Sequence, residues 1–374
     1  MFAHRTLSSA AVLRRSFCSR LGGVVSQKGE KTRRRALLRP GEDTAHWTAA
    51  SLERMVGAER TVVEKEDQQS SSIYTWLLHY AANMSKVSGF FEAPLLQVYY
   101  EIFRAQKDCK VIGAVGEIGV FHGKSFLPLW AMRSANEQAV AIDLFDNQEE
   151  NVDNSGCGSL KAVRKAMRRF PLPELLGQEE TVGETFLVSE NSSVLHPDTL
   201  LGYIHAQQRF RVFSVDGCHD AGAVEADLEL VTAAMVPRHG IIILDDVFNP
   251  DWPGVVSGLA SFLKERQQCS CTTCSARAGA PKESMDPAKE CSSDVAECCS
   301  AWVPVMLGYN KCFLCLRQDH GTFSALFHAR LSARGLGVRK TSSFMGSQVL
   351  ILRQGWITAF HGNEEVAEME KESE

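Results

Sequence analysis

The stretch Val111–Ser125, VIGAVGEIGVFHGKS, decides how this 374-residue chain folds. It begins as a short apolar run, bends through Gly119 and Gly123, and continues into the apolar pattern FLPLWAM. This order predicts a β-strand, a glycine turn and an α-helix. Such a turn brings backbone N–H groups and a helix N-terminus up to a ligand, so we expect a binding site at the end of this strand.

Three ligand-binding motifs can be compared with this turn. The dinucleotide fingerprint G-x-G-x-x-G has a different glycine spacing. The phosphate-loop motif G-x-x-x-x-G-K-[ST] is one residue longer than the segment that ends at Ser125. The pattern E-x-G-x-x-x-G fits without adjustment, as Glu117, Gly119 and Gly123. At these residues the chain resembles the class I S-adenosylmethionine (AdoMet) methyltransferases, whose turn carries an acid because AdoMet presents cationic groups there and has no pyrophosphate.

Strand and helix patterns alternate on both sides of this turn. Two helices are predicted before it, one with Tyr74 in its first turn and one that begins at Pro94. After it, strands are predicted at 139–145, 184–190, 211–217 and 241–246, with helices at 160–170, 225–235 and 322–334. Alternation of this kind favours an α/β fold with a parallel sheet. The resemblance implies a Rossmann-like, seven-stranded, mostly parallel sheet with helices on both faces, completed by one strand in VPVMLGYNKCFLCL and one in SQVLILR.

The ends of the chain differ in composition from this core. The first 40 residues are rich in Arg and Ser and contain one acid, which is typical of an organelle transit peptide, although a disordered basic tail has the same composition. We predict a mitochondrial location, with chloroplast and cytoplasm as the alternatives. The predicted organisation has four parts: a transit segment (1–40), a polar linker (41–72), a methyltransferase domain (73–360) and an acidic tail (361–374). Within the domain we expect N-terminal helices (73–107), a core (109–266), a Cys-rich insertion (267–300) and the final strands and helix (301–356).

Composition excludes some classes of function. The formal net charge is −5, which does not suggest a nucleic-acid partner. No apolar run approaches the roughly 18 residues of a membrane span. Most of the 12 cysteines lie between Cys269 and Cys315. A zinc knuckle in the insertion would need a second C-x-x-C pair, so we interpret the insertion as a loop, and Cys312 and Cys315 as buried thiols of a strand.

Five acids stand at the ends of predicted strands. They are Glu117, Asp143, Asp216, Asp245 and Asp246. Because the carboxyl ends of parallel strands meet at one edge of a sheet, we expect these side chains to converge on a ligand. An acid that ends the second strand can accept hydrogen bonds from both hydroxyls of a ribose. Like charges at one site raise one another's pKa unless a cation is bound.

Over residues 214–253, the chain resembles one particular subgroup of these methyltransferases. Here D-G-x-H follows the fourth strand and D-D follows the fifth, as in the metal-dependent O-methyltransferase subgroup that includes the macrolide sugar and cephalosporin-cluster enzymes. This implies that His219 is the general base. It implies metal ligands at Asp216, Asp245 and Asp246, and a cofactor site at Glu117, Gly119, Gly123, Ser125, Asp143, Ser192 and Asp216. Three carboxylates form a hard oxygen site suited to Mg²⁺. In the simplest alternative, these acids only cap a helix and end a strand.

The sequence therefore predicts an AdoMet-dependent methyltransferase that methylates a small-molecule hydroxyl, with help from Mg²⁺. A homo-oligomer is a further expectation. Two alternatives stay open: a P-loop-like NTPase, and a non-catalytic protein of the organelle that binds AdoMet or a partner. The methyl acceptor is not identified by the sequence.

Overall fold

The computed structural model describes residues 68–172, 184–267, 301–333 and 338–352. The predicted transit segment, most of the polar linker, the insertion after residue 267 and the acidic tail lie outside these residues. Among the helices in the described ranges, none combines the length and the apolar character that a membrane crossing requires.

The described residues contain eight α-helices and nine strands. The strands are β1 (Ala114–Ile118), β2 (Ala139–Asp143), β3 (Thr185–Ser189), β4 (Phe210–Val215), β5 (Ile241–Leu244), β6 (Trp302–Gly308), β7 (Lys311–Leu316), β8 (Val338–Phe344) and β9 (Ser347–Leu352). The helices are α1 (Gln68–Asn83), α2 (Pro94–Asp108), α3 (Phe126–Ala131), α4 (Leu160–Arg169), α5 (Pro197–Gly202), α6 (Ala221–Ala234), α7 (Pro253–Gln267) and α8 (His320–Ala333).

All of these strands form one sheet, in the order β3-β2-β1-β4-β5-β7-β6-β9-β8. The first five strands along the chain are parallel to one another, with β1 at the centre of their group. Successive residues of a strand point to opposite faces, and β2 shows this clearly: Ala139 and Ala141 join one buried cluster, and Val140 and Ile142 join the other. Side chains of α1 to α4 and α8 belong to the first cluster, and those of α5 to α7 belong to the second. The predicted α/β class and the layer of helices on each face are confirmed.

The predicted strand count is wrong, because the last part of the chain contains two strands more than expected. The segment VPVMLGYNKCFLCL forms a hairpin rather than one strand. Tyr309 and Asn310 connect β6 to β7, and both have positive φ, 53° and 65°. A two-residue hairpin turn with left-handed residues matches the twist of antiparallel strands. The second extra strand is β8, which pairs antiparallel with β9 at the edge of the sheet.

The hairpin fixes which residue of β7 reaches the ligand-binding edge. Strand β7 is antiparallel to β5, and Leu244 is the register partner of Cys312. Asp245, the residue that follows β5, therefore lies beside Lys311, the first residue of β7. An antiparallel strand presents its first residue, and not its last, at the edge where parallel strands end. Lys311 thus joins Glu117 near the end of β1 and the acids that follow β4 and β5.

The N-terminal helices pack against this same region. Pro94 occupies the first turn of α2, as predicted, where its missing N–H has no intrahelical partner to lose. The hydroxyl of Tyr80 donates to the backbone oxygen of Lys124 at 2.7 Å, and the Lys124 ammonium donates to the oxygen of Gly89 at 2.9 Å. These contacts attach the helical layer to the turn after β1.

Candidate active site

The turn after β1 depends on its two glycines. Gly119 has a φ of +81° and Gly123 a φ of +89°, a region that side chains with a Cβ rarely adopt. A Cβ at Gly119 would lie 1.7 Å from the backbone oxygen of Asp216. The end of β1 therefore approaches the end of β4 more closely than any other residue would allow. Ser125, the last predicted member of the turn, is buried at the start of α3.

Glu117, the acid of the predicted motif, lies in β1 just before this turn and is completely buried at 0% exposure. No group makes a hydrogen bond of ordinary geometry to either of its carboxyl oxygens. Burial raises the pKa of Glu117 to about 8, although Ser125, Lys311 and Ser214 act in the opposite direction. A buried acid without a hydrogen-bond partner is costly to a folded protein unless a ligand supplies donors or positive charge. The cationic groups of AdoMet have the chemistry that this acid lacks.

Asp143 ends β2, where an acid was predicted to bind a ribose. Its Oδ2 accepts a hydrogen bond from the Phe121 N–H at 2.6 Å, and its Oδ1 accepts one from the Phe145 N–H at 2.5 Å. Burial raises the pKa of Asp143, and these backbone donors lower it. Gly158 also lies against the carboxylate, since a Cβ there would be 2.4 Å from Oδ1. Asp143 is therefore at the predicted edge, with backbone donors on both oxygens.

Ser192 belongs to a short turn after β3. Burial raises the pKa of Asp227 to about 7, although the nearby Ser192 side chain acts in the opposite direction. Asp227 is in α6 and lies under the turn that follows β4, because a Cβ at Gly217 would be 2.8 Å from its Oδ2. The observed contact of Ser192 is thus with a buried acid of α6.

His219 is held by carboxylates at both ring nitrogens. Its Nδ1 is 2.7 Å from Oδ2 of Asp153, and its Nε2 is 3.1 Å from Oδ2 of Asp246. The Asp153 carboxylate also accepts the backbone N–H of His219 at 2.9 Å, and the ring stacks on Trp252 with 4.3 Å between centroids. Burial disfavours the charged imidazolium, but hydrogen bonds to Asp153 and Asp246 raise the pKa of His219 to about 9. Burial acts against the charged form of Asp153 as well, but the hydrogen bonds from His219 hold its pKa well below the usual range.

The two acids after β5 are both engaged by protein groups. Oδ2 of Asp245 pairs with the Lys311 ammonium, and its Oδ1 accepts the N–H of Asp246 at 2.8 Å. Oδ1 of Asp246 accepts hydrogen bonds from the side-chain amides of Asn310 and Asn249, and its Oδ2 faces His219. All four carboxylate oxygens of this acidic pair therefore have partners.

A divalent ion does not fit the predicted set of three carboxylates, because the Lys311 ammonium already occupies Oδ2 of Asp245 and would repel the ion. Among the described residues, Asp216, His219 and Asp246 have one potential ligand atom each within 4.8 Å of one another. In that group, Nε2 of His219 already pairs with Asp246. Burial and then the charge of Asp245 raise the pKa of Asp216 well above its ordinary value.

Three residues of this site could not be placed from the sequence. Asp153 lies in the loop after β2, 66 positions before its partner His219, and no spacing rule connects them. The sequence pattern predicts that Lys311 and Asn310 lie in the interior of one long strand. Their signal was the pair Tyr309–Asn310, since Asn tolerates positive φ and often stands in hairpin turns.

The core has parallel strands in the order β3-β2-β1-β4-β5, an acid near the end of β1, two glycines in the turn that follows and an acid that ends β2. This agrees with the fold that the resemblance at E-x-G-x-x-x-G implies. Residues 117–247 match the family model described as a methyltransferase domain. This stretch of the chain is therefore similar to a methyltransferase domain, and AdoMet is the methyl donor that the similarity implies.

Several solved structures are similar to this chain. They include CalS11, a TDP-rhamnose 3′-O-methyltransferase of calicheamicin biosynthesis (16% identity, covering 58% of this chain and 87% of that one, TM-score 0.34). An O-methyltransferase from Bacillus cereus in complex with SAH (17%, 57% and 87%, 0.32) and MycE of the mycinamycin pathway with Mg and SAH (15%, 67% and 55%, 0.35) are two more. Similarities this remote do not define the acceptor or metal of this chain. Among curated protein sequences, none matches it.

Proposed function

We propose that this protein transfers the methyl group of AdoMet to a hydroxyl oxygen of a small-molecule acceptor, with His219 as the general base. The observation that carries the proposal is the Asp153–His219 pair at the edge of the sheet that also holds Glu117. A carboxylate that binds Nδ1 of a histidine fixes its orientation and leaves Nε2 to exchange a proton with another group.

The proposed cofactor site is the turn after β1 with Asp143. Glu117 offers two carboxyl oxygens without hydrogen bonds, which suits the cationic end of AdoMet. Asp143 stands at the end of the neighbouring strand, where the ribose hydroxyls of a nucleoside bind in related sheets. To bind a ribose, the Asp143 oxygens would have to accept hydrogen bonds from its hydroxyls in addition to, or in place of, those from the backbone N–H groups.

The reaction is a direct substitution. A lone pair of the acceptor oxygen forms a bond to the methyl carbon, and the bond between carbon and sulfur breaks with its electrons going to sulfur. The acceptor proton goes to Nε2 of His219, which must first release its own proton to solvent and turn from Asp246. Much of the acceleration in such a reaction comes from alignment of the acceptor oxygen with the methyl group. Because the predicted metal ligands do not fit a divalent ion, no step is assigned to a metal.

The first experiment is a binding and transfer assay on the wild-type protein. Calorimetric titration with AdoMet and with ATP should show binding of AdoMet alone, because the turn is one residue short of a phosphate loop. Isotope-labelled AdoMet is then incubated with a panel of hydroxylated small molecules, and transfer of label to one of them is expected. AdoMet binding without any transfer would instead favour the non-catalytic alternative.

We also propose that residues 1–40 direct the protein to mitochondria. The support is their Arg-rich composition with a single acid. A fluorescent protein fused to this segment should enter mitochondria, whereas a fusion in which the arginines are replaced by glutamine should stay in the cytosol. Cytosolic or chloroplast localisation of the unaltered fusion would contradict the proposal.

A further inference from the structure

Asn310 in the turn between β6 and β7 and Lys311 at the start of β7 hold the acidic pair and the two residues after it through four contacts. Lys311 pairs with Asp245, and the side-chain amide of Asn310 donates to Asp246. The backbone oxygen of Asn310 accepts the N–H of Val247 at 3.0 Å, and its Oδ1 accepts the N–H of Phe248 at 3.0 Å. The conformation of the segment after β5 is therefore fixed by the hairpin.

Lys311 is an unusual residue for this position, because its side chain is only 2% exposed. A buried ammonium is tolerated when carboxylates compensate its charge. Burial disfavours the charged form, but Asp245 and then Tyr99 and Asp216 raise the pKa of Lys311 above its ordinary value. Burial raises the pKa of Glu117 and of Glu92, and the Lys311 ammonium opposes the rise in both. Its field therefore reaches an acid within β1 and an acid just before α2.

Two protein cations compensate the acidic pair. Asp245 has Lys311 as its partner, and Asp246 has His219. A divalent ion bound to Asp245 would have to displace the ammonium into a buried environment with one carboxylate fewer, or lie beside it and be repelled. Either outcome is unfavourable in a site of low polarity.

We propose that Lys311 is the resident cation of this site: it holds Asp245 in the position that a metal ligand would take, and the protein binds no divalent metal there. Lys311 is a positioning residue, since its contacts are with the carboxylates and not with a reacting atom. For turnover the inference rests on the proposed function, whereas for metal binding it stands on geometry alone.

The test is thermal unfolding of the full-length protein with Mg²⁺, Mn²⁺ or EDTA. The wild type should show the same melting temperature in all three conditions. Lys311→Ala removes the ammonium and leaves room for a hydrated ion beside carboxylates that now repel one another. This variant should be less stable in EDTA and gain roughly 5–10 °C with metal at about 100 times its dissociation constant. Lys311→Ala combined with Asp245→Asn should lose that gain.

Direct titration covers the case in which Lys311→Ala does not fold. Wild-type protein freed of metal with EDTA is titrated with Mn²⁺ in a calorimeter, beside Asp245→Asn and the exposed control Glu229→Gln. No binding that depends on Asp245 is expected. Wild-type binding that Asp245→Asn abolishes and Glu229→Gln preserves would overturn the inference. Methyl transfer that survives EDTA would support it further, whereas failure to find any transfer would count against the proposed function and leave the metal result valid.

Discussion

The acids on the two sides of the ligand-binding edge differ in whether protein groups compensate them. Near the end of β1, Glu117 is buried and neither of its oxygens has a hydrogen bond of ordinary geometry. After β5, every carboxylate oxygen of Asp245 and Asp246 has a protein partner. Glu117 lacks the donors or positive charge that a ligand could supply. The charges of Asp245 and Asp246 are instead compensated by two protein cations, Lys311 and His219. Proximity of carboxylates is therefore not sufficient to assign a metal site.

The largest expected effect concerns His219, on the compensated side. His219→Ala should lower the turnover number by about 10²- to 10⁴-fold, because general base catalysis typically contributes this much. The affinity for AdoMet should change little, since Glu117 and Asp143 are intact. Turnover is measured with labelled AdoMet at a saturating acceptor concentration. His205→Ala, which alters an exposed histidine, is the control and should behave as the wild type.

The pH dependence gives a second measurement for the same pair. The pKa of His219 is about 9, so its neutral form appears only as pH rises towards that value, and wild-type turnover should rise with it. Asp153→Asn removes the anionic partner, so the pKa should fall and the rise should move to lower pH, with a smaller maximum rate. A profile that is identical in wild type and Asp153→Asn would show that this pair does not carry the proton.

A smaller effect is expected for Glu117→Gln, on the uncompensated side. The variant keeps the size of the side chain and loses its charge, so AdoMet affinity should fall by about 10- to 100-fold. Calorimetric titration measures this, with Glu229→Gln as the exposed control. Unchanged affinity in a folded Glu117→Gln would place the cofactor elsewhere.

The same variant should stabilise the ligand-free protein at high pH. Because the pKa of Glu117 is raised from 4.5 to about 8 in the folded state, the folded protein binds this proton more tightly than the unfolded chain. Stability therefore falls as pH rises from about 4.5 to 8, and Glu117→Gln removes that fall. The free energy of unfolding at pH 9 should exceed that of the wild type by roughly 2–5 kcal/mol. Denaturant unfolding at pH 5 and pH 9 measures the difference.

The smallest effect is expected for Gly123→Ala. The nearest atom to the new Cβ would be 3.5 Å away in Val163, so the cost is backbone strain at a φ of +89° and not a clash. We expect a loss of about 1–2 kcal/mol in the free energy of unfolding. Gly321→Ala in α8, whose Cβ would meet no atom within 4 Å, should be neutral or stabilising by up to about 1 kcal/mol. Equal destabilisation by both variants would show that the turn does not require its conformation.

Local patterns in the sequence predicted the fold class and one side of the site. Val111–Ser125 and the apolar run after it contain the order strand, glycine turn, helix. The alternation of strand-like and helix-like hydrophobic patterns identified the parallel strands that follow. Gly119 and Gly123 could be chosen because positive φ leaves a direct signal in residue type. The positions of these elements depend on neighbouring residues alone, so they can be read from one sequence.

The other side of the site depends on pairing between distant segments. Lys311 meets Asp245 only because β7 returns antiparallel beside β5 in one particular register, and the hairpin that causes this was read as a single strand. Asp153 reaches His219 through a loop whose path no periodicity encodes. The three predicted metal ligands were correctly placed at strand ends. The partners that occupy Asp245 and Asp246 could not be foreseen from those positions.

The two-residue connection between β6 and β7 makes the chemistry of this site sensitive to loop length. Successive side chains of a strand point to opposite faces of the sheet. One residue inserted at Tyr309–Asn310 that shifted the register of β7 would therefore turn Lys311 to the opposite face. A neighbouring residue of β7 would then take its place beside Asp245. Asp245 would then be without a cation, although no residue of the acidic pair had changed. In a chain built this way, a single insertion far from the glycine turn would be enough to convert a site that carries its own positive charge into one that must recruit an ion.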